Sequence, residues 1–381
     1  MVSLARKTLI REWRRFLPAV LAIAFAGLLL IVQAALVLGI FGSAAVYVTT
    51  SSADLWVGYP GTQSVNLGRP ISADVEMLLR MNPQVTSVEP LLWVDGDWRS
   101  VSTNHVQDKG GVSVFVNGIN PSGNLLFDHV LPAHLRSLLM EPGAVIVDRA
   151  DLEQLGVQPN SYARIDAKPV HVVATVTGLR ALGGVNIICS LDTARELAGN
   201  LRDRDSITYW VAKLEDASAA DNISAVLNGK SSFGPYQIWT ADHFALRSQF
   251  YWMLDTGAGI AVLFMATIVF LVGVVVASQA LMSVVISSAQ EYATLNALGA
   301  GMVALRRVVL EQSAWIGGMG LLCSAALSSI LLSFAQARDV PVAMTLVMAV
   351  VCAALILGIA LISGLLAMRG LLRADPALLL R

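Results

Sequence analysis

Four long stretches of the chain carry no charged side chain, and they set its layout. Between Arg15 and Asp54 charge is absent, and Phe16–Ile40 is almost wholly apolar. The 35 residues between Asp255 and Glu291 are uncharged, with Ile260–Val276 the most apolar part. Gln312–Ala337 and Val340–Met368 are two further runs. Each exceeds the roughly 20 apolar residues a helix needs to cross about 30 Å of hydrocarbon. Four core helices of that length would demand an implausibly large core, so the pattern predicts transmembrane helices at 16–42, 257–286, 308–335 and 341–368. The first run, with basic residues before it and Ser43, Ala44 and Ala45 after it, also has the layout of a cleaved signal peptide. Its apolar part is about twice the usual 7–15 residues, which favours an uncleaved anchor.

The 202 residues from Asp54 to Asp255 read differently. Val112–Val116 and Val170–Val176 are β-branched runs bounded by Gly, Asn or Pro, as strands are. Ala144–Val147 leads into a helical pattern, Ala150–Leu155, that stops at Gly156. Ile207–Lys213 reads as a strand, followed by helical Ala217–Leu227 and the short strand Tyr236–Thr240. Helical Ala73–Met81 likewise leads into Val85–Trp93. The fold class expected is therefore an α-helical membrane protein of four spans, with a large extracytoplasmic α+β domain between the first and second. The two helix-then-strand units near the ends of that domain have the pattern of a duplicated fold, without a residue-level repeat.

Charge then gives the orientation. The chain of 381 residues is 55% hydrophobic and 14% charged, and its net charge is −1. Ten basic residues flank the spans on one side: Arg6, Lys7, Arg11, Arg14, Arg15, Arg306, Arg307, Arg369, Arg373 and Arg381. Only Glu12, Glu291, Glu311 and Asp375 oppose them there. The positive-inside rule puts these segments, and both termini, in the cytoplasm. The 54–255 segment, with 15 basic and 22 acidic residues, falls outside. Near-neutrality thus hides a polarised chain, and no basic face suits nucleic acid.

The sequence lacks the usual motifs of catalysis. There is no G-x-x-x-x-G-K-[ST] loop and no G-x-S-x-G elbow. His105, His129, His134, His171 and His243 form no H-E-x-x-H or Cys-His constellation; His129 and His134 near Asp128 read as loop residues. Gly110-Gly111 and Gly183-Gly184 read as turns. Polar residues within the spans are few: Gln33, Gln279, Ser283, Glu311 and Gln312. A proton pump or ion channel has little to work with there. The reading is of no enzyme, no metal and no cofactor in this chain.

Two further segments are amphipathic. Thr240–Leu254 is helix-compatible and runs without Pro or Gly into the second span; with Ala44–Thr50 it reads as a stalk over 241–256. Phe250, Tyr251 and Trp252 equally suit a headgroup-level belt. Residues 1–15 read as a helix lying on the anionic inner leaflet. Asp54–Gly61 reads as a structural turn, or else a contact loop for substrate or adaptor.

The connection Ser287–Gly301, SSAQEYATLNALGAG, is the informative one. Ser287 or Ser288 suits a helix N-cap, and Glu291 in the first turn meets the positive end of the helix dipole. Tyr292, Leu295 and Leu298 share one apolar face, and Gly299 and Gly301 end the helix. Such a helix suits docking into a partner's groove, or simply connects two spans along the interface.

Glu291–Ala300 resembles the E-[YFI]-[AG]-x-[LM]-x-A-[LM]-G coupling-helix motif of MacB/FtsX-like permeases of ABC transporters. Arg373-Ala-Asp-Pro-Ala377 and Leu378–Arg381 resemble the D-P-A-x-x-L-R ending of that superfamily, carried here by Asp375 and Pro376. Val114–Pro121, Ala53–Gly61 and Glu291–Leu295 look most like its DevC-type branch. The resemblance implies a MacB-like periplasmic domain at 51–240, a coupling helix at 287–301 and a cytoplasmic tail at 369–381. It also implies a homodimer in the bacterial inner membrane with two separate ABC ATPase subunits, which bind the ATP and Mg. Ser288, Glu291, Tyr292, Thr294, Leu295, Leu298 and Gly299 would meet the ATPase, and a periplasmic adaptor and a TolC-like outer-membrane channel would complete an exporter. Two other outcomes share the layout: an FtsX-like regulator of a cell-wall hydrolase, and a lipoprotein-releasing permease.

Overall fold

A computed structural model describes residues 13–100, 111–199, 206–228, 234–288 and 302–373, with side chains placed except at 302–306 and 366–373. Along the chain, helix α1 (Trp13–Gly42) passes through a 3₁₀ turn into α2 (Val46–Thr49). Strands β1 (Leu55–Gly58) and β2 (Ile71–Ser72), helix α3 (Val75–Arg80) and strands β3 (Val85–Ser100) and β4 (Val112–Ile119) follow. Next come β5 (Ala144–Asp148), β6 (Tyr162–Ile165), β7 (Lys168–Val176), β8 (Val185–Ser190) and α4 (Leu191–Ala198). Strands β9 (Ser206–Ile207) and β10 (Tyr209–Leu214), α5 (Ala220–Asn228), β11 (Gln237–Thr240) and α6 (Ala241–Phe250) complete the central part. Then follow α7 (Gly257–Ser287), α8 (Met302–Ala337) and α9 (Leu346–Arg373). Two compact units result, one of Met1–Gly39 and Ile260–Arg381, the other of Ile40–Gly259.

The first unit is helical. Trp13–Thr49, Gly257–Ser287, Arg307–Ala337 and Leu346–Leu365 are each long and apolar enough to cross a membrane. Their shared core gathers Phe16, Val20 and Ile23 with Leu281, Val284, Ile316 and Ile356. Elsewhere the helices expose Phe264, Leu271, Leu322, Ile330 and Leu346, as faces bathed in acyl chains do. Without a hydrophobic drive between helices in lipid, close packing at small residues holds such a bundle. A Cβ on Gly320 would lie 2.6 Å from Ile23 Cγ2, and one on Gly27 would lie 2.9 Å from Ser324 Cβ. Here α1 and α8 touch through glycine. Ser278 and Ser363 also share a hydrogen bond of 2.8 Å.

The second unit is built on two sheets that share β3, beside a two-stranded ribbon of β2 and β9. Strands β11-β1-β10-β3 pair antiparallel throughout, with α3 and α5 as the crossovers β1–α3–β3 and β10–α5–β11. This is a split βαβ arrangement, and it explains the two helix-then-strand units in the sequence: they are its two halves. The period of two is clean. Leu55, Val57, Trp210, Ala212 and Ile238 face α3 and α5, whereas Trp56, Tyr209, Val211 and Trp239 face the other way, onto Phe244 of α6.

Between β3 and β10 the chain forms a barrel. Strands β3-β4-β8-β5-β7-β6 follow one another, and β6 returns to β3 through Trp98↔Ile165 and Ser100↔Ala163. Closure removes the exposed edges. Val94, Trp98, Val114, Val116, Val145, Val147, Val172 and Ile187 fill the inside. Gly96 lies on that seam, where a Cβ would come 2.5 Å from Ile165 Cγ2.

Two expectations change. Asp54–Gly61 is a turn only at its end, over Tyr59–Gly61: Leu55–Gly58 is a fully buried central strand, because both of its faces are covered. The 240–254 segment does not run unbroken into the second span. Its α-helix ends at Phe250, a π turn covers Tyr251–Asp255, and Thr256 is extended at φ −100°, ψ 142°. The Thr256 side chain caps the new helix, with Gly259 N donating to its Oγ at 3.0 Å. Nor do 46–48 and 244–248 stand free as a stalk, since Tyr47, Val48, Phe244 and Ser248 are buried.

Phe244 touches Trp56, Tyr209 and Trp239 at ring distances of 4.7–6.0 Å and is fully buried. Phe244→Ala should therefore cost about 3–5 kcal/mol. The exposed neighbour Leu246→Ala should stay within about 0.5 kcal/mol. Denaturant unfolding of the detergent-solubilised chain, followed by tryptophan fluorescence, measures both.

Candidate functional site

The segment expected to dock a partner begins where α7 ends. Of the residues singled out there, Ser288 is described; Glu291, Tyr292, Thr294, Leu295, Leu298 and Gly299 lie outside the described residues, as do Asp375 and Pro376 in the tail. Ser288 is buried, and its N–H donates to Val284 O and Val285 O at 3.1 and 3.2 Å. It therefore finishes the last turn of α7, a role the cap expected of it did not anticipate. Arg15, at the start of α1, reaches that same turn. Its Nε donates to Ser287 Oγ at 3.1 Å and its Nη2 to Ser288 Oγ at 3.0 Å and to the Ser287 carbonyl. A guanidinium is well suited to this position, where the last carbonyls of a helix lack partners and its dipole is negative.

Among the described residues, the buried polar side chains of the bundle are hydroxyls and the Gln312 amide. Gln312, Ser313, Ser324 and Ser328 are buried, with Ser324 Oγ donating to Leu321 O at 2.9 Å. Gln279 is exposed.

In the outer unit, the segments adjoining the spans are held by polar anchors. Ser51 Oγ donates to Tyr47 O at 2.6 Å and accepts from Phe127 N at 3.0 Å. His129 N donates to Thr50 O at 3.1 Å. The 124–127 loop is in turn fixed from β3, where the buried Glu89 accepts from Asn124 N at 2.6 Å and Leu125 N at 2.9 Å. Arg136, also buried, donates to Leu126 O at 2.6 Å. Burial lowers the pKa of its guanidinium, and the Glu89 and Asp128 carboxylates oppose that shift. Asp54 holds Lys213 Nζ at 3.0 Å and accepts from Leu214 N at 2.8 Å, which makes it a brace for β10.

On the other side, Trp252 Nε1 donates to Ser64 Oγ at 3.1 Å and lies 3.3 Å from Asn66 Oδ1. The indole expected at headgroup level is thus engaged within the unit. Sequence patterns missed Tyr47, Asn66 and Asn186. Asn186 is a lone amide in the apolar strand VNIICS, a signal that marks a buried hydrogen-bonded group. A cleft of about 500 Å³ opens among Pro90, Asn120, Pro121, Met140, Asp192 and Glu196. None of its side chains is a nucleophile set against a base.

Comparison with known proteins agrees with the helical unit. Residues 263–376 match the family model of the FtsX-like permease C-terminal domain. That match runs along α7, α8 and α9. No curated protein matches it in sequence. Among solved structures, it is similar to the periplasmic region of MacB from Actinobacillus actinomycetemcomitans, at 13% identity over 52% of this chain and 94% of that one, with a TM-score of 0.36. It is also similar to the extracellular domain of the noncanonic ABC-type transporter YknZ from Gram-positive bacteria, at 13% identity over 49% of this chain and 99% of that one, with a TM-score of 0.33.

Arg15→Ala should loosen the end of α7 by about 1.5–3 kcal/mol, the contribution of hydrogen bonds from a charged donor. Arg15→Lys should recover only part of that, because one ammonium cannot span three acceptors. Amide exchange at 285–288 reads the difference.

Proposed function

We propose that this chain is the permease subunit of an ATP-driven ABC exporter of the DevC-type branch. It works as a homodimer in the bacterial inner membrane, with ATP and Mg bound by separate ATPase subunits. The observation that carries the reading is the FtsX-like permease C-terminal match over 263–376, in a chain with one long apolar helix, a folded α+β unit and three more such helices. Charge supports the orientation: the basic flanks would lie in the cytoplasm and the acidic 54–255 segment in the periplasm.

In this reading 288–299 is the coupling helix, with Glu291 and Tyr292 in polar contact with the ATPase, Leu295 and Leu298 packed in its groove, and Thr294 and Gly299 completing the motif. Asp375 and Pro376 belong to the cytoplasmic tail. The spans supply no charged path for a solute, so nucleotide-driven movement would act on the outer unit and not on a pore. A polar, folded outer unit fits a route through a periplasmic adaptor and a TolC-like duct. The substrate would be lipid-like, peptide or drug-like and would be taken up on the periplasmic side.

Glu291→Lys and Leu295→Asp should each weaken ATPase docking by about 2 kcal/mol, near thirtyfold in affinity, while leaving membrane insertion intact. Co-purification from native membranes, with ATP hydrolysis measured in the same preparation, tests this. Unchanged docking and hydrolysis in both variants would overturn the assignment of 288–299. Recovery of a cell-wall hydrolase or of lipoproteins, in place of an adaptor, would replace export by regulation or by lipoprotein release.

A further inference from the structure

The chain enters the outer unit through α2, directly after α1, and leaves it through α6 and the π turn, directly before α7. These two segments are far apart in sequence, yet their polar anchors converge on one short loop, residues 177–184, which links β7 to β8. From the first side, Tyr47 Oη donates to Asn186 Oδ1 at 2.5 Å, and Asn186 Nδ2 donates to Leu179 O at 2.5 Å. From the second side, Trp252 Nε1 donates to Ser64 Oγ, and Ser64 Oγ donates to Asn66 Oδ1 at 2.6 Å. Asn66 Nδ2 then donates to Leu182 O at 3.2 Å. Ser248 of α6 holds the same 64–66 stretch, accepting from Val65 N at 3.1 Å.

The loop is itself fixed to the barrel. Leu179 N donates to Asp148 Oδ2, at the end of β5, at 2.7 Å. Val185, one residue past the loop, begins the β8 pairing with β4. Tyr47, Ser64, Asn66, Asp148, Leu179 and Asn186 are all buried. Water is therefore kept from the Tyr47–Asn186–Leu179–Asp148 links, where a break leaves a buried polar group unsatisfied, whereas Leu182 and Trp252 are half-buried. Gly178 and Gly183, at φ +92° and +99°, bracket the loop in a conformation that other residues resist.

We infer that the 177–184 loop is the junction that joins the two span-linked segments to each other and to the barrel, with Asn186 and Asn66 as its positioning residues. A displacement of α2 reaches Leu179 through Asn186, and one of the 248–252 turn reaches Leu182 through Asn66. Only two residues, Arg180 and Ala181, separate those two carbonyls, so the loop moves with both segments or with neither. The inference rests on the outer unit alone and stands whether or not the chain serves an exporter.

Amide hydrogen exchange on the full chain in lipid nanodiscs tests it, because the decisive readout lies on the side away from the substitution. Tyr47→Phe removes one hydroxyl and leaves the packing. It should speed exchange three- to tenfold at 182–185 and also at Val65 and 248–252, the change expected for loss of one hydrogen bond. Asn66→Ala should do the same at 179–186 and at 46–51. Should Tyr47→Phe act only at 46–51 and 185–187, with Val65 and 248–252 unmoved, the two attachments are independent and the junction is refuted. If Asn66→Ala fails to fold, Tyr47→Phe decides alone.

Discussion

The outer unit depends on one strand serving two sheets. Over its sixteen residues β3 pairs first with β10, from Val85 to Leu91, and then with β4, from Leu92 to Trp98, before meeting β6 at its end. Successive side chains of a strand point to opposite faces, so this one element must supply three cores. Val88 faces the helices α3 and α5, Leu91 and Trp93 face the aromatic cluster around Phe244, and Leu92, Val94 and Trp98 enter the barrel. A slip of one residue would exchange every one of those assignments at once. The split βαβ sheet and the barrel are therefore joined by one continuous strand, about 50 Å in contour length at about 3.3 Å per residue.

That constraint explains what could be read from the chain and what could not. The four spans were legible because the cost of burying charge in hydrocarbon leaves a pattern over twenty residues, which needs no partner to interpret. Val112–Val116 and Ala144–Val147 were legible from β-branched runs between turn residues. Strand β1 was not, because Leu55–Gly58 is covered on both faces and shows no alternation; set between Asp54 and Pro60, it looked like a turn. Strand β8 was hidden by Asn186 and Ser190, whose polarity breaks the run although both are hydrogen-bonded within the unit. Barrel closure is a relation between Trp98 and Ile165, far apart in sequence, and no local pattern carries it.

The candidate site divides in a similar way. The segment Glu291–Gly299 is local, and its resemblance to a coupling helix rests on its residues alone. Its mechanical context is not local. Arg15 and Ser288 are 273 residues apart, and nothing in either neighbourhood announces that the first caps the helix ending at the second. Tyr47 and Asn186 are 139 apart, and each alone reads as an ordinary polar residue beside an apolar run. Such links form only once tertiary packing has brought the partners together, so their energetics belong to the fold and not to any one segment.

Within the helical unit, the same reasoning identifies which helices must move together. Glycine at 27 and 320 lets α1 and α8 approach until backbone meets side chain, leaving no compressible space between them. Arg15 ties the end of α7 to the beginning of α1 by three hydrogen bonds, one of them to a carbonyl. Ser288 is held at that end both by the Val284 and Val285 carbonyls of α7 and by Arg15 of α1. Helix α1 continues by chain connectivity into α2, whose Tyr47 is held by a strand of the barrel. A helix resists bending and stretching far more than a loop does, because each turn is closed by its own backbone hydrogen bonds. The end of α7 is thus fixed to the first turn of α1 by side-chain hydrogen bonds, and α1 is itself stiffened by its backbone ladder.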